Sequence, residues 1–177
     1  DAITTRKLYH YITRRMPDQC QTIWNTEIDF TSVLADMERA GMHVNVQQLQ
    51  IKEYQLMHEL IQIEELIHNI TGVCIRPNSN VDCFDLLCGK YGLPILGWTD
   101  GKEPGPSFDK ATLASYTRHP TVESSPLLSQ AVELILKYRQ ANTLLTLFVR
   151  PYQNFQIDGV LHSDYQQVIR TGRMSCK

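Results

Sequence analysis

Residues 45–70, with the sequence NVQQLQIKEYQLMHELIQIEELIHNI, set the expected architecture of this chain. Four apolar residues recur there every seven positions, and two more form a second series between them. Glu53 interrupts the second series. The residues of this seam are Leu49, Leu56, Leu60, Ile63, Ile67 and Ile70. The spacing predicts one amphipathic helix. At a rise of about 1.5 Å per residue this helix would be about 37 Å long, so we expect a partner helix of similar length.

Residues 127–149 are the candidate for that partner. Their apolar residues recur at steps of three and four, and Pro151 is expected to end the helix. The positions concerned are Leu128, Val132, Ile135, Tyr138, Leu145 and Phe148. A long excursion separates the two helical segments, and its own elements are short. We therefore predict an antiparallel helical hairpin with a small helical tip at one end.

Two helix starts in the tip are candidates for anion binding. Ser79, with Asp82 three residues later, has the pattern of a capping box and opens a predicted helix over residues 80–91. The segment Pro106-Ser107-Phe108-Asp109 opens another, which runs to about residue 118. Unpaired backbone N–H groups at helix starts suit phosphate. Ordinary helix capping is the alternative interpretation of either start.

The flanking segments contain shorter elements. Helices are predicted over residues 1–16 and 29–40, the second closed by Gly41. Asp158-Gly159, between two apolar triplets, is typical of a two-residue β-hairpin turn. The predicted fold class is mainly α, a long antiparallel helical hairpin with a small helical tip and a short C-terminal β-hairpin.

The composition excludes several classes of protein. With 42% apolar residues in 177 and a net charge of −2, the chain is neither wholly disordered nor a uniformly basic nucleic-acid binder. No apolar run approaches about 18 residues, so we expect no membrane span. Five cysteines without a CxxC pair indicate reduced thiols. Residues 27–69 are acidic and residues 137–177 basic, so one side of the molecule could follow a polyanion while the other repels it.

Motifs of a self-contained active site are not found. The chain has no GxGxxG, GxxxxGK[ST] or GxSxG sequence, and His58-Glu59 is followed by Gln62 where a zinc protease needs its second histidine. The six histidines do not pair at helical spacing. We therefore predict no catalytic residue within this chain.

Five segments, taken in order, resemble the thumb region of family A DNA polymerases, the bacterial polymerase I group with its phage and organellar relatives. Residues 33–45, VLADMERAGMHVN, are similar to the family segment that leads into the long thumb helix. Four further segments match in order: Asn78-Ser79 with KYGLP (90–94), Pro106-Ser107, HP (119–120) with LILKYR (134–139), and LHS (161–163) with TGRMS (171–175). The resemblance implies domain boundaries at 1–24 (end of a 3′–5′ exonuclease and linker), 25–152 (thumb) and 153–177 (start of the palm).

The resemblance implies roles for particular residues. Contacts to phosphates position a duplex without reading its sequence, and for this role the resemblance proposes Asn78, Ser79, Ser107 and Arg139. In the TGR segment, which would bind DNA through Thr171, Gly172 and Arg173, Gly172 would let the backbone approach closely and Arg173 would test minor-groove acceptors at the primer end. Asp1 resembles the metal-binding aspartate of the exonuclease YxxxD motif.

This chain also departs from the family pattern. Thr143 stands where the family usually has a lysine, Asn80 replaces a proline, and Phe108 replaces a threonine. The chain begins with Asp rather than Met, and its last seven residues, 171–177, stop without a helix cap or a polar tail. We therefore expect an excised piece of a longer protein.

The function implied by the resemblance is to grip primer–template duplex DNA during replication or repair. Two Mg²⁺ ions, deoxynucleoside triphosphates and the palm and fingers residues would belong to the parent polymerase only. The chain alone should bind no cofactor and be inactive. A cytoplasmic location in a bacterium or a phage-infected cell is expected, with an organelle as the alternative. The competing hypothesis is a helical protein-interaction module without a nucleic-acid role.

Overall fold

The computed structural model describes residues 1–100, 103–167 and 173–176. The helices are α1 (Ala2–Thr13), α2 (Asp18–Ala40), α3 (Val46–Thr71), α4 (Asn80–Phe84), α5 (Lys110–Tyr116), α6 (Pro120–Glu123), α7 (Pro126–Leu144) and α8 (Arg150–Phe155). The strands are β1 (Met42–His43), β2 (Val160–Leu161), β3 (Tyr165–Gln166) and β4 (Ser175–Cys176). Two π-helical turns, Asp85–Lys90 and Leu145–Val149, extend α4 and join α7 to α8. The chain divides into a hairpin unit, Asn45–Asn154, and a terminal unit, Asp1–Val44 with Phe155–Lys177.

The two long helices pack antiparallel, as predicted. Near one end of α3, Glu53 accepts a hydrogen bond from Arg150 Nε at 2.8 Å. Near its other end, Glu64 accepts one from the Tyr138 hydroxyl at 2.8 Å. Residue numbers therefore rise along one helix as they fall along the other. Glu53, which interrupts the apolar repeat, also accepts from Gln153 Nε2 at 2.9 Å, so the interruption is a polar link between the helices.

The seam divides into two buried clusters. Near the base of the hairpin, Leu56 and Leu60 of α3 pack in a cluster with three residues of the second arm. Ile63 and Ile67 belong instead to the larger cluster of the tip, with Phe108 and Tyr116. The larger core therefore lies where the excursion packs on the hairpin. Burial of this apolar area is the main favourable term in folding.

Pro151 does not end the second helix, contrary to the prediction. The helix passes through the π turn into α8 and ends at Phe155. A proline lacks an N–H, and its ring clashes with the carbonyl four residues earlier in an α-helix. Just before it, Arg150 N–H donates to the Leu145 carbonyl, an i→i+5 bond that widens the turn. Phe148, which was expected on the seam, is 46% exposed.

The terminal unit contains long helices and short strands. The predicted helix over 29–40 begins earlier, at Asp18, whose carboxylate suits a helix start. β1 pairs antiparallel with β2, in the register Met42 with Leu161. Asp158 and Gly159 have φ of 50° and 79°, so the predicted two-residue turn is confirmed. Beside this turn Ile157 and Val160 form a single bridge, and β3 pairs with β4.

The structural division falls at 44/45 and 154/155. The boundaries 24/25 and 152/153 refer to the domains of a longer polymerase and stay predictions. Among the described residues, none of the helices combines the length and apolarity that a membrane crossing requires.

Candidate nucleic-acid interface

The loop before α4 is held by a compact set of hydrogen bonds. Ser79 Oγ accepts from the Asp82 N–H at 3.2 Å and donates to Asp82 Oδ1 at 2.8 Å, so the predicted cap is confirmed. The Asp82 carboxylate also accepts from Arg76 through the backbone N–H, Nε and Nη2, each at 2.9 Å. The Asp82 carboxylate thus binds both Arg76, which precedes Asn78, and Ser79, which follows it. The loop that carries Asn78 is therefore fixed at both ends.

These contacts perturb the ionisation of Asp82. The Arg76 guanidinium, the Arg76 backbone N–H and the Ser79 hydroxyl all bond to the carboxylate and hold the pKa of Asp82 well below its ordinary value. Each of these donors stabilises the charged form. The loop geometry is therefore coupled to a negative charge on Asp82.

Replacing Asp82 by asparagine is expected to lower the urea midpoint of the hairpin unit at neutral pH. Because the folded-state pKa is depressed, the carboxylate contributes fully above about pH 4 and its contribution is lost as the pH falls below that value. The difference between wild type and D82N should therefore stay constant down to about pH 4 and shrink below it. Unfolding is followed by fluorescence of Trp98 in the hairpin unit, in a Trp24→Phe background.

The matched control is Asp85→Asn, three residues further along the same helical segment and exposed. It should leave the urea midpoint unchanged. A D82N difference that does not vary between neutral and acid pH would contradict the coupling of the loop to the carboxylate charge.

The helix α5, which the segment Pro106-Ser107-Phe108-Asp109 opens as predicted, is capped by Asp109. Asp109 Oδ1 accepts from the Thr112 N–H at 2.8 Å, and this backbone contact lowers the pKa of Asp109. Ser107 is only 8% exposed, and its N–H donates to the Gly97 carbonyl at 2.9 Å. The serine expected to meet phosphate is therefore mostly covered by protein.

Arg139 of α7 connects the two loops. Its Nε donates to the Pro77 carbonyl at 2.8 Å and its Nη1 donates to the Phe108 carbonyl. Its Nη2 lies 3.1 Å from Asn80 Oδ1 and 3.5 Å from Cys83 Sγ. Each of the three guanidinium nitrogens of Arg139, the residue proposed as a phosphate contact, thus donates a hydrogen bond to another part of the protein.

A groove of about 490 Å³ runs along α7 beside these loops. Its polar lining combines Asn78, Arg139, Thr143 and Lys110, the first residue of α5. The remaining lining residues are Leu136, Gln140, Leu144 and Phe148. The groove therefore presents two cations, Lys110 and Arg139, and two amides, Asn78 and Gln140, beside an apolar surface, a combination that suits the phosphates and sugars of a nucleic-acid backbone.

Lys110 is the functional candidate that sequence reasoning missed. It is exposed and directly follows the cap Asp109, so the local signal was a cation at the first position of a predicted helix. Thr143, which replaces the family lysine, lines the same groove and donates its hydroxyl to the Arg139 carbonyl at 2.7 Å.

The other predicted site residues are placed as follows. Asn78 is exposed, and Arg173 is exposed in the terminal unit just before β4. Thr171 and Gly172 lie outside the described residues. Asp1 caps α1, accepting from the Ile3 N–H at 3.1 Å and from the Thr4 hydroxyl at 3.3 Å.

Metal-ligating side chains do not cluster in the part of the chain that the structure describes. Within the described ranges, no three His, Cys, Asp or Glu side chains come together as a possible metal site. The Asp1 carboxylate stands alone at its helix start, and one carboxylate does not hold a divalent cation tightly. The role of Asp1 as an exonuclease ligand stays a prediction about a longer protein.

Two ion pairs link the acidic and basic segments within the hairpin unit, and the expectation of two oppositely charged sides stays a prediction. Lys137 pairs with Glu59 at 3.1 Å and Arg150 with Glu53 at 2.8 Å, both across the two arms of the hairpin. Such partly exposed pairs contribute little stability each. Their cations are neutralised locally, and neither of them lines the groove.

Comparisons with known proteins agree with the motifs. No family model matches the chain. It is 27% identical over 180 residues to the thermostable DNA polymerase I of Thermus thermophilus, covering 98% of this chain and 20% of that protein. With DNA polymerase I of Pseudomonas aeruginosa the identity is 27% over 184 residues, 99% of this chain and 19% of that protein. With DNA polymerase I of Streptococcus pneumoniae it is 31% over 163 residues, 89% of this chain and 17% of that protein.

A solved structure shares the fold. The POL domain of Pol1 from M. smegmatis, in complex with DNA primer-template and dNTP, superposes with a TM-score of 0.71 at 23% identity, over 85% of this chain and 25% of that chain. The chain spans about a fifth of the length of the curated relatives it matches. Over nearly its whole length, the chain is related to the family A DNA polymerases of the polymerase I group, as its motifs predicted.

Proposed function

We propose that this chain is the thumb segment of a family A DNA polymerase and that its tip grips the primer–template duplex. The proposal is supported by the groove that Asn78, Lys110 and Arg139 line beside two helix-start loops. Backbone N–H groups at helix starts and a neighbouring ammonium group bind phosphate irrespective of base sequence. A DNA polymerase needs such a grip because it must hold every sequence that it copies.

For Thr171, Gly172 and Arg173 we propose a separate contact with the duplex, as the family resemblance implies. The two minor-groove acceptors occupy nearly equivalent positions in all four base pairs. Arg173, which is exposed, would test that geometry at the primer end. Asn78, Ser79 and the Ser107 loop of the hairpin unit would hold phosphates.

The chemistry is assigned to the parent protein, a nucleotidyltransferase. Two Mg²⁺ ions held by palm aspartates would activate the primer hydroxyl and stabilise the leaving pyrophosphate from a deoxynucleoside triphosphate. The Pol1 structure from M. smegmatis contains DNA primer-template and dNTP, which supports the same partners for the parent. We place the activity in the cytoplasm, and we expect no nucleotide incorporation by this chain alone.

Titration of a fluorescein-labelled primer–template duplex with the 177-residue chain tests the proposal. We expect a Kd of about 10⁻⁴–10⁻⁶ M, equal for two unrelated sequences and weaker at higher salt. Lys110→Gln should weaken binding and reduce the slope of log K against log salt by about 0.9, the value for one phosphate contact. Fluorescence anisotropy at several salt concentrations gives both quantities.

Lys52→Gln is the matched control, because Lys52 is an exposed lysine of α3 that does not line the groove. It should leave the slope unchanged. Equal effects of the two substitutions, or binding that ignores salt, would contradict the proposed interface.

A protein-interaction module is the second candidate. Ile51, Tyr54 and Ile61 leave an apolar stripe on α3 that is 50%, 74% and 54% exposed. Exposed apolar stripes of this kind often mark helical docking surfaces. Absence of duplex binding by the wild-type chain would favour this candidate over the thumb.

A further inference from the structure

Arg139 joins two loops that lie far apart in the sequence. The carbonyls that it binds belong to Pro77 and Phe108, separated by 31 residues and located just before α4 and α5. A third contact goes to Asn80 Oδ1 at 3.1 Å. One half-buried side chain therefore fixes the spacing between the Asn78 loop and the Ser107 loop.

The geometry of these contacts requires a guanidinium group. Its five N–H donors lie in one rigid plane, so Nε and the two Nη atoms reach acceptors in different directions at once. A lysine ammonium is a compact point charge and cannot span both loops in this way. Loss of the guanidinium would leave two partly buried carbonyl oxygens without their donor, which is unfavourable.

We propose that Arg139 is a positioning residue, which holds the two loops at the spacing that one duplex requires, rather than a phosphate contact. The inference rests on the proposed function of the groove. The charge that meets phosphate then belongs to Lys110, while Arg139 acts through the loops that it ties together. This assignment replaces the role that the family resemblance implies for Arg139.

Charge-conserving and charge-removing substitutions separate the two roles. For a positioning residue, Arg139→Lys and Arg139→Gln should both weaken duplex binding, by about tenfold, with the salt slope unchanged. For a direct phosphate contact, R139K should retain most of the affinity and R139Q should reduce the slope by about 0.9. The second pattern would overturn the proposal. Thr143→Lys, which adds a cation to the groove, serves as the positive control for a slope change.

Trp98 reports the loop spacing without DNA. It forms an antiparallel bridge with Pro106 at the start of the second loop and is 60% exposed. In a Trp24→Phe background Trp98 is the only tryptophan of the chain. R139K and R139Q should both change its quenching by acrylamide, whereas Lys110→Gln should not. Unchanged quenching in both Arg139 variants would overturn this inference alone.

A stability control excludes a general effect of weakened folding. Leu56 is 3% exposed in the basal cluster of the hairpin, away from both loops. Leu56→Ala should lower the urea midpoint yet leave duplex affinity and Trp98 quenching unchanged below the unfolding transition. Equal loss of affinity in L56A and R139K would overturn the positioning role. Absence of binding by the wild-type chain would overturn the proposed function itself, and with it this role.

Discussion

Replacing Ile67 by alanine should destabilise the hairpin unit by about 2–5 kcal/mol, the range observed for large-to-small changes in a packed core. Ile67 is 1% exposed and belongs to the cluster that joins α3 to the tip. Its truncation would remove apolar burial and leave a cavity among residues from several elements. Urea unfolding followed by Trp98 fluorescence in a Trp24→Phe background measures the free energy of this unit.

Ile61 provides the control within the same helix. It carries the same side chain but is 54% exposed. Ile61→Ala should change the free energy of unfolding by no more than about 0.5 kcal/mol. Similar losses for I61A and I67A would show that the seam does not face the core as described.

Replacing Gly41 by alanine should cost about 3 kcal/mol or more in the terminal unit, because backbone strain and a steric clash act together. Gly41 has φ 64° and ψ −169°, a conformation that side chains rarely adopt. A Cβ would lie 2.5 Å from Val160 Cγ1 and 2.7 Å from the Leu161 carbonyl oxygen. The backbone oxygen is held by the pairing of β1 with β2, so we expect that pairing to be disrupted. Trp24 fluorescence in a Trp98→Phe background reports the unfolding.

Gly92→Ala is the control for the backbone term alone. Gly92 has φ 65°, but an added Cβ would meet no atom within 4 Å. The expected cost is therefore about 1 kcal/mol, read in the hairpin unit through Trp98. If G41A were no worse than G92A, the close approach of Val160 to Gly41 would be wrong.

The fold was predictable where the signal is local and repeated. The burial of Leu56 and Ile63 follows from helical periodicity, and the turn at Asp158-Gly159 follows from residues that tolerate positive φ. The exposure of Phe148 was not predictable in this way. Phe148 lies within a π turn, and no simple composition rule places such a turn.

The candidate site was predictable only in part. The cap at Ser79 was predictable because Asp82, three positions later, completes the capping-box pattern. The pairing of Glu53 with Arg150 was not predictable, because the two residues are 97 positions apart. The contacts of Arg139 are to backbone carbonyl groups. Because every residue has such a group, the sequence does not indicate which carbonyls the arginine binds. Lys110 resembled any surface lysine until the fold brought it beside Asn78.

The π turn at Leu145–Val149 has a consequence for evolutionary correspondence. An i→i+5 bond encloses one residue more than an α-helical bond. If the residues are counted as in a regular α-helix, every side chain after the turn is therefore assigned a helical-wheel position that is wrong by one residue. Homologues that lack this extra residue would match by simple counting up to Leu144 and require a one-residue gap beyond it. Deleting one residue here would convert the π turn to α-helix and leave Arg150 facing Glu53, so an indel confined to this segment keeps the facing of the residues that follow.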